Sequence, residues 1–208
     1  MNELLQHRGP DDTGLWLDAV AGICLGHRRL SILDPSPAGH QPMVAEDGTA
    51  IVFNGEIYNF RELRHDYLPN HHFESESDTE TLLSLYRQRG MECLDLLTGM
   101  FAFAVWDGGR RELLLVRDRI GKKPLYWCRE GGIFAFASEI RSLLSLPWME
   151  RELDERALYH FLTFGFVPPP ATLFAGISKL APGVFLRLRA GGAGDRHLVD
   201  TASRAGAG

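Results

Sequence analysis

The chain has 208 residues, 45% of them apolar and 24% charged, with a formal net charge of −5. That length fits one domain with a substantial core, and the negative balance argues against nucleic acid or an acidic membrane surface as a partner. No apolar run approaches the roughly 20 residues that span a bilayer, and the opening MNELLQHRGPDD lacks the apolar core of a secretory signal.

In chain order, strand-like runs come first. AGICLGHRRLSI (21–32) and TAIVFNGEI (49–57) are rich in apolar residues and bounded by turn residues. NFRELRHDYL (59–68) reads as an amphipathic helix. SESDTETLLSLYRQRG follows, with Ser77-Asp78-Thr79-Glu80 matching a capping box and Gly90 as the stop. MFAFAVWD (100–107) and RELLLVRDR (111–119) flank the turn DGGR, a hairpin signal. PLYWCRE (124–130) and GIFAFAS (132–138) are further strands. SEIRSLLSL (138–146) and DERALYHFLTFG (154–165) read as helices, the second ended by the run Val167-Pro168-Pro169-Pro170. GVFLRLRA (183–190) is a last strand. Strand runs with interspersed helices predict a layered α+β domain over 1–190, with the Gly- and Ala-rich 191–208 as a linker or tail.

The three cysteines, Cys24, Cys93 and Cys128, are too few and too widely spaced for a disulfide framework or a zinc site. Each is read as a small, partly buried apolar residue in a reduced, cytoplasmic protein. None of the eight histidines has a ligand spacing, so no metal site is expected, and His71-His72 reads as solvated.

Four clusters carry possible chemistry: His7-Arg8-Gly9-Pro10-Asp11, His27-Arg28-Arg29-Leu30-Ser31-Ile32, Asn54-Gly55-Glu56, and Asp78. Singly, Arg29 reads as a sheet-edge charge, Asp78 as a helix-dipole partner and Asn54-Gly55 as a hairpin turn. Together they describe a receptor for a small amino acid. Arg29 would grip an α-carboxylate through paired hydrogen bonds, and Glu56 with Asp78 would hold an α-ammonium. The Asn54 amide and the Gly55 N–H would make a two-donor oxyanion hole for attack on a carboxamide, with glycine letting the backbone approach the substrate.

The chain resembles the glutaminase domain of glutamine-dependent asparagine synthetases, a class II glutamine amidotransferase of the N-terminal-nucleophile type. The resemblance runs from His7 to Arg189 and rests on HRGPD (7–11), HRRLSILD (27–34), QPM (41–43), FNGEIYN (53–59), ESDTE (76–80), GMFAFAVWD (99–107), RDRIGKKPLYW (117–127) and ASEIRSLL (137–144). It implies an Ntn-hydrolase-like four-layer αββα sandwich of two antiparallel sheets. It also implies L-glutamine as substrate, with Arg29, Glu56 and Asp78 binding it, Asn54 and Gly55 forming the oxyanion hole, Leu30 and Ile32 shaping the wall, and Arg8 and Gly9 beside the nucleophile. RDRIGKKPLYW and ASEI are read as mainly structural, with Lys122, Lys123 and Tyr126 toward a partner domain.

In that family the nucleophile is an N-terminal cysteine, and its free α-amino group activates its own thiol. Here Met1-Asn2-Glu3-Leu4-Leu5-Gln6 precedes HRGPD directly, so the expectation is a fragment truncated at both ends and lacking the family's N-terminal strand. Two neighbouring strands would then expose unpaired edges, and poor solubility or self-association is expected. Weak glutamine binding without hydrolysis is expected too. No cofactor is expected in this chain: ATP and Mg2+ would belong to a C-terminal synthetase domain that amidates aspartate. A homodimer is left open. The alternatives are a nucleophile-less scaffold or binding module, for which β-lactam synthetases are a precedent, and another class II amidotransferase.

Overall fold

The computed structural model describes residues 1–189 and 199–202. After a 3-10 turn (Asn2–Leu5), β1 (Asp12–Asp18) and β2 (Ile23–Arg29) form an antiparallel hairpin. A short β3 (Met43–Val44) leads into β4 (Ala50–Ile57) and then helices α1 (Phe60–Tyr67), α2 (Asp78–Arg89) and α3 (Cys93–Leu96). Next come β5 (Gly99–Asp107), β6 (Glu112–Arg117), β7 (Tyr126–Glu130) and β8 (Ile133–Ala137). Helices α4 (Ile140–Leu143) and α5 (Glu155–Phe164) precede β9 (Ile177–Lys179), β10 (Phe185–Arg189) and β11 (Val199–Ala202).

One six-stranded sheet has the order β11-β10-β6-β5-β4-β3, and every pair in it is antiparallel. Side-chain alternation along its central strands builds two cores. Phe101, Phe103 and Val105 of β5 pack with Leu63 of α1 and Leu82, Leu85 and Tyr86 of α2. Ala102, Ala104 and Trp106 face the other way, against Leu25 of β2 and Trp127 and Phe134 of β7 and β8. Burial on both faces is why these strands read as near-continuous apolar runs. Beyond the second core, Cys128 and Ile177 pack against Leu143 of α4. The layers run helix, sheet, sheet, helix, the expected αββα sandwich, and all strands pair antiparallel.

The second sheet is in two pieces, β1-β2 and β8-β7-β9, with no strand joining them among the described residues. Their shared core with the six-stranded sheet puts both pieces on the same face of it.

Several local expectations are corrected. Asn54-Gly55 is not a turn: both residues sit within β4, opposite Ala102 and Phe101 of β5. Ser77 does cap α2 by accepting from the Thr79 N–H at 3.1 Å, but Glu80 does not close a capping box. Its carboxylate accepts from the Glu74 N–H at 2.9 Å and the Ser75 N–H at 2.7 Å instead. The helix expected over 138–146 is only the single turn of α4, after which the chain tightens into a turn in which the Leu146 N–H donates to the Leu143 carbonyl at 3.0 Å. Helix α5 stops at Gly165, which takes the left-handed conformation and bonds back to the Phe161 carbonyl, ahead of the proline run. Of the His71-His72 pair, His72 is exposed, but His71 is only partly so: its Nε2 meets Ser84 Oγ at 3.0 Å and its ring packs edge-on against Phe73. The tail expected over 191–208 lies outside the described residues except for β11, which extends the sheet beside β10.

Candidate functional site

The site begins at the open edge of β4. Strand β3 covers only Ala50 and Ile51. Beyond it, side chains satisfy the backbone of β4. The Phe53 N–H donates to Gln41 Oε1 at 2.7 Å, the Phe53 carbonyl pairs with His27 Nε2 at 3.0 Å, and the Ile57 N–H donates to Asp78 Oδ2 at 2.8 Å. Because N–H direction alternates along a strand, the Gly55 N–H points the same way as those of Phe53 and Ile57. It emerges between two satisfied neighbours. Asn54 and Glu56 share the parity of Val52, which faces the second sheet, so their side chains project between the sheets.

The glycine at 55 has a reason beyond substrate approach. A Cβ there would overlap the Met100 carbonyl oxygen of β5, so the close strand pair itself excludes a side chain. Gly9 is similarly constrained: a Cβ would sit in the Arg28–Arg29 peptide.

Arg29, at the end of β2, is buried. Its Nη1 donates to the Ser36 carbonyl at 3.1 Å and its Nη2 to the Asp34 carbonyl, while Gly39 leaves room for the guanidinium. Two of its five N–H donors are thus used by the 34–39 loop, and the others remain for a ligand. Asp34 holds that loop by accepting from the Ser36 N–H at 2.8 Å and the Glu76 N–H at 2.9 Å. Hydrogen bonds from Ser36 keep its carboxyl below the ordinary range, against the opposing effect of burial.

Arg8, Arg29, Leu30, Ile32, Asn54, Gly55, Glu56 and Asp78 all line one cavity of about 620 Å³ between the sheets. Gly9 lies behind Arg29. Leu30 and Ile32 are exposed at 56% and 71%, as wall residues of an open site would be. Arg8 donates to Glu139 Oε1 at 3.2 Å, and His7 Nε2 meets the same oxygen at 2.9 Å. Burial, helped by the charge of Glu56, raises the Asp78 carboxyl above its usual range, although N–H groups of Ile57 and Thr79 oppose the shift. Arg29, Glu56, Asp78, Asn54 and Gly55 thus share the lining of one cavity.

Cys24 departs from expectation. It is exposed and lines this cavity, whereas Cys93 and Cys128 are buried. Burial pushes the Cys93 thiol up to about 12 and the Cys128 thiol up to about 11.

Comparison with known proteins decides the family. The profile described as "Glutamine amidotransferase domain" matches residues 1–198. The chain belongs to that family. Asparagine synthetase (glutamine-hydrolysing) 1 of Bacillus subtilis is 42% identical to this glutamine amidotransferase domain, over 92% of the chain and 30% of the relative. Asparagine synthetase (glutamine-hydrolysing) 3 of the same organism is 39% identical over 88% of the chain and 30% of the relative. The domain thus spans under a third of the length of these relatives. Among solved structures, the glutamine phosphoribosylpyrophosphate amidotransferase from B. subtilis superposes with a TM-score of 0.57 at 19% identity, covering 86% of this chain and 34% of that one. That likeness supports the Ntn-type sandwich.

The amidotransferase domain also uses residues that motif reading did not single out. Gln41 spans from Phe53 to Thr79 Oγ1, at 3.2 Å, and so ties β4 to α2. His27 ties β2 to β4. Glu139 ties Arg8 to the end of β8. Each lies inside a quoted motif, yet its partner is distant in sequence, so only the fold reveals the link.

Proposed function

We propose that this glutamine amidotransferase domain binds L-glutamine between its sheets and forms the ammonia-producing part of a glutamine-hydrolysing asparagine synthetase. The observation that carries this reading is the single cavity holding Arg29, Glu56, Asp78 and the Asn54–Gly55 donor pair. Arg29 takes the α-carboxylate, Glu56 and Asp78 take the α-ammonium, and the side-chain amide reaches Asn54 and the Gly55 N–H. When a thiolate attacks the amide carbon, the carbonyl oxygen gains charge, and these two donors stabilise it. The C–N bond then breaks, the nitrogen takes a proton and leaves as ammonia, and water cleaves the thioester to glutamate.

None of the chain's three cysteines supplies that thiolate. Cys24 is five residues from Arg29 along β2, about 17 Å at the rise of an extended strand, beyond the reach of a bound glutamine. The other two thiols are buried and held protonated.

Relatives 36–43% identical named as asparagine synthetases support aspartate as the ammonia acceptor. The ATP and Mg2+ that such an amidation requires belong, in this reading, to the synthetase part of the parent protein. Among the described residues no group of three or more His, Cys, Asp or Glu could hold a metal ion, and no step here runs through one. No helix among them is long and apolar enough to cross a membrane. We place the protein in the cytoplasm, where free thiols persist.

Titration calorimetry with L-glutamine tests the reading. Saturable binding that Arg29→Ala and Asp78→Asn each weaken at least tenfold is expected. Binding that both variants leave unchanged would overturn it.

A further inference from the structure

His27 spans the gap between the sheets. It shares the face of β2 that carries Leu25, which packs in the core between them. Its Nε2 reaches the Phe53 carbonyl of β4 at 3.0 Å. A carbonyl can only accept, so Nε2 carries the ring proton and Nδ1 is left as a bare acceptor. Nδ1 is buried and meets no donor among the described residues. Burial pushes the proton affinity of the ring down to about 4, helped by the charge of Arg29 and opposed by the Phe53 carbonyl. The ring is therefore neutral near neutral pH, and Nδ1 stays an acceptor. A buried acceptor without a donor is costly, and this one belongs to a residue that lines the cavity.

Strand geometry places this ring beside the substrate path. On β2, Arg29 lies two residues beyond His27 and on the same face. On β4, the Gly55 N–H lies two residues beyond Phe53, on the edge that also carries the Phe53 carbonyl. A two-residue step along a strand is about 7 Å. The His27–Phe53 contact is thus one such step from each end of the path that a glutamine bound between Arg29 and Gly55 would take. In that pose Asn54 and Gly55 meet the carboxamide oxygen as donors, and Glu56 and Asp78 take the α-ammonium. The carboxamide NH2 group is the substrate donor that still needs an acceptor.

We propose that His27 Nδ1 accepts an N–H of the substrate's carboxamide and so selects glutamine over glutamate. The assignment rests on the glutamine reading and makes His27 a specificity-determining residue of that site. A carboxamide turns an N–H toward Nδ1 and satisfies the buried acceptor. A glutamate side chain brings an anionic oxygen to the same point, lone pair against lone pair, and leaves both groups unsatisfied. Sites built around a hydrogen bond to the substrate discriminate most strongly in this way. The same contrast favours release of glutamate once the amide is hydrolysed. Histidine suits the task because one ring nitrogen is anchored on Phe53, which fixes the other in the acceptor state.

The test combines nitrogen NMR of the full chain, isotope-labelled at its histidines, with calorimetry on L-glutamine and L-glutamate. His27→Gln keeps an N–H for the Phe53 carbonyl and loses the acceptor, and its missing resonances identify His27 among the eight histidines. Saturating glutamine should move the Nδ1 resonance of the native chain upfield, as accepting a hydrogen bond does to an unprotonated ring nitrogen. Glutamate should not. His27→Gln should lower the ratio of glutamine to glutamate affinity at least tenfold, whereas a merely structural role would weaken both ligands equally. An Nδ1 resonance that glutamine leaves in place, or an unchanged ratio in His27→Gln, would overturn the assignment. Glutamine binding that still depends on Arg29 would then leave the glutamine reading standing. No glutamine binding by the native chain would overturn that reading and the assignment with it.

Discussion

Asp78, the first residue of α2, accepts the Ile57 N–H at 2.8 Å and so fixes the strand that carries Asn54 and Gly55 to the helix beside it. The same carboxylate is buried, and burial raises its proton affinity. In the proposed function this one group positions Asn54 and Gly55 and would meet the ammonium of a bound glutamine.

That double role makes glutamine affinity depend on pH. With a folded value above the unfolded carboxylate's roughly 3.9, Asp78 favours folding fully only below the unfolded value. That contribution is lost as pH rises through the folded one. Above it Asp78 is ionised at a cost, which an ammonium ligand offsets. Affinity should therefore fall as pH drops through a value above the ordinary carboxylate range. Calorimetry between pH 4 and 8 should show that fall in the native protein and a flat, weak profile in Asp78→Asn, whose amide oxygen still accepts the Ile57 N–H.

Gln41 makes a second expectation. It is buried, and its Oε1 is the acceptor for the Phe53 N–H. Replacing it by leucine leaves that donor buried without a partner, a loss of about 1–3 kcal/mol. It also frees the strand just before Asn54. Gln41→Leu should lower the urea midpoint and weaken glutamine binding several-fold, whereas Gln41→Glu, which keeps the acceptor, should bind nearly as the native chain does.

Much of this was legible in the sequence for a physical reason. Strands such as FAFAV, buried on both faces, announce themselves by composition, and Ser77 announces the start of α2 by its hydroxyl. Strand β1 was missed because DTGLWLD mixes charges with two exposed leucines, Leu15 and Leu17, at 71% and 66%. The site was legible as a set of residue types, but the tertiary assignments were not. That the Arg29 guanidinium leans on the 34–39 loop, that Gln41 serves Phe53, and that Cys24 is exposed all depend on contacts between segments far apart in sequence. That the second sheet lies in two pieces among the described residues, β1-β2 and β8-β7-β9, was visible only in the structure.

The cysteines should divide by reactivity. Cys24 is exposed on β2, while Cys93 and Cys128 are fully buried with thiols held protonated. Since the thiolate is the reacting form, a thiol reagent at pH 8 should modify Cys24 rapidly in the native chain. The other two should react only after denaturation. Cys24→Ala should abolish the rapid phase. The native chain should release no more ammonia from glutamine than this variant does, and release that depends on Cys24 would restore it as a nucleophile candidate.

Arg117 should matter for stability far more than an average arginine. It closes β6, is buried, and donates to the carbonyls of Lys123 at 2.7 Å, Leu180 at 2.5 Å and Gly121 at 2.7 Å. Burial lowers its proton affinity, an effect partly offset by the negative charge of Asp118. Asp118 in turn accepts N–H groups of Lys122 at 2.9 Å and Lys123 at 3.0 Å, so the pair organises the 118–123 turn from both sides. Removing the guanidinium strands three carbonyls, of which some will find water. With about 1–3 kcal/mol for each buried group left without a partner, Arg117→Ala should cost roughly 3 kcal/mol in urea unfolding. Lysine has the charge but not the planar fork needed to reach three divergent acceptors. Arg117→Lys should therefore recover less than half of that loss, and full recovery would mean that charge alone, and not the shape of the donor set, holds the turn.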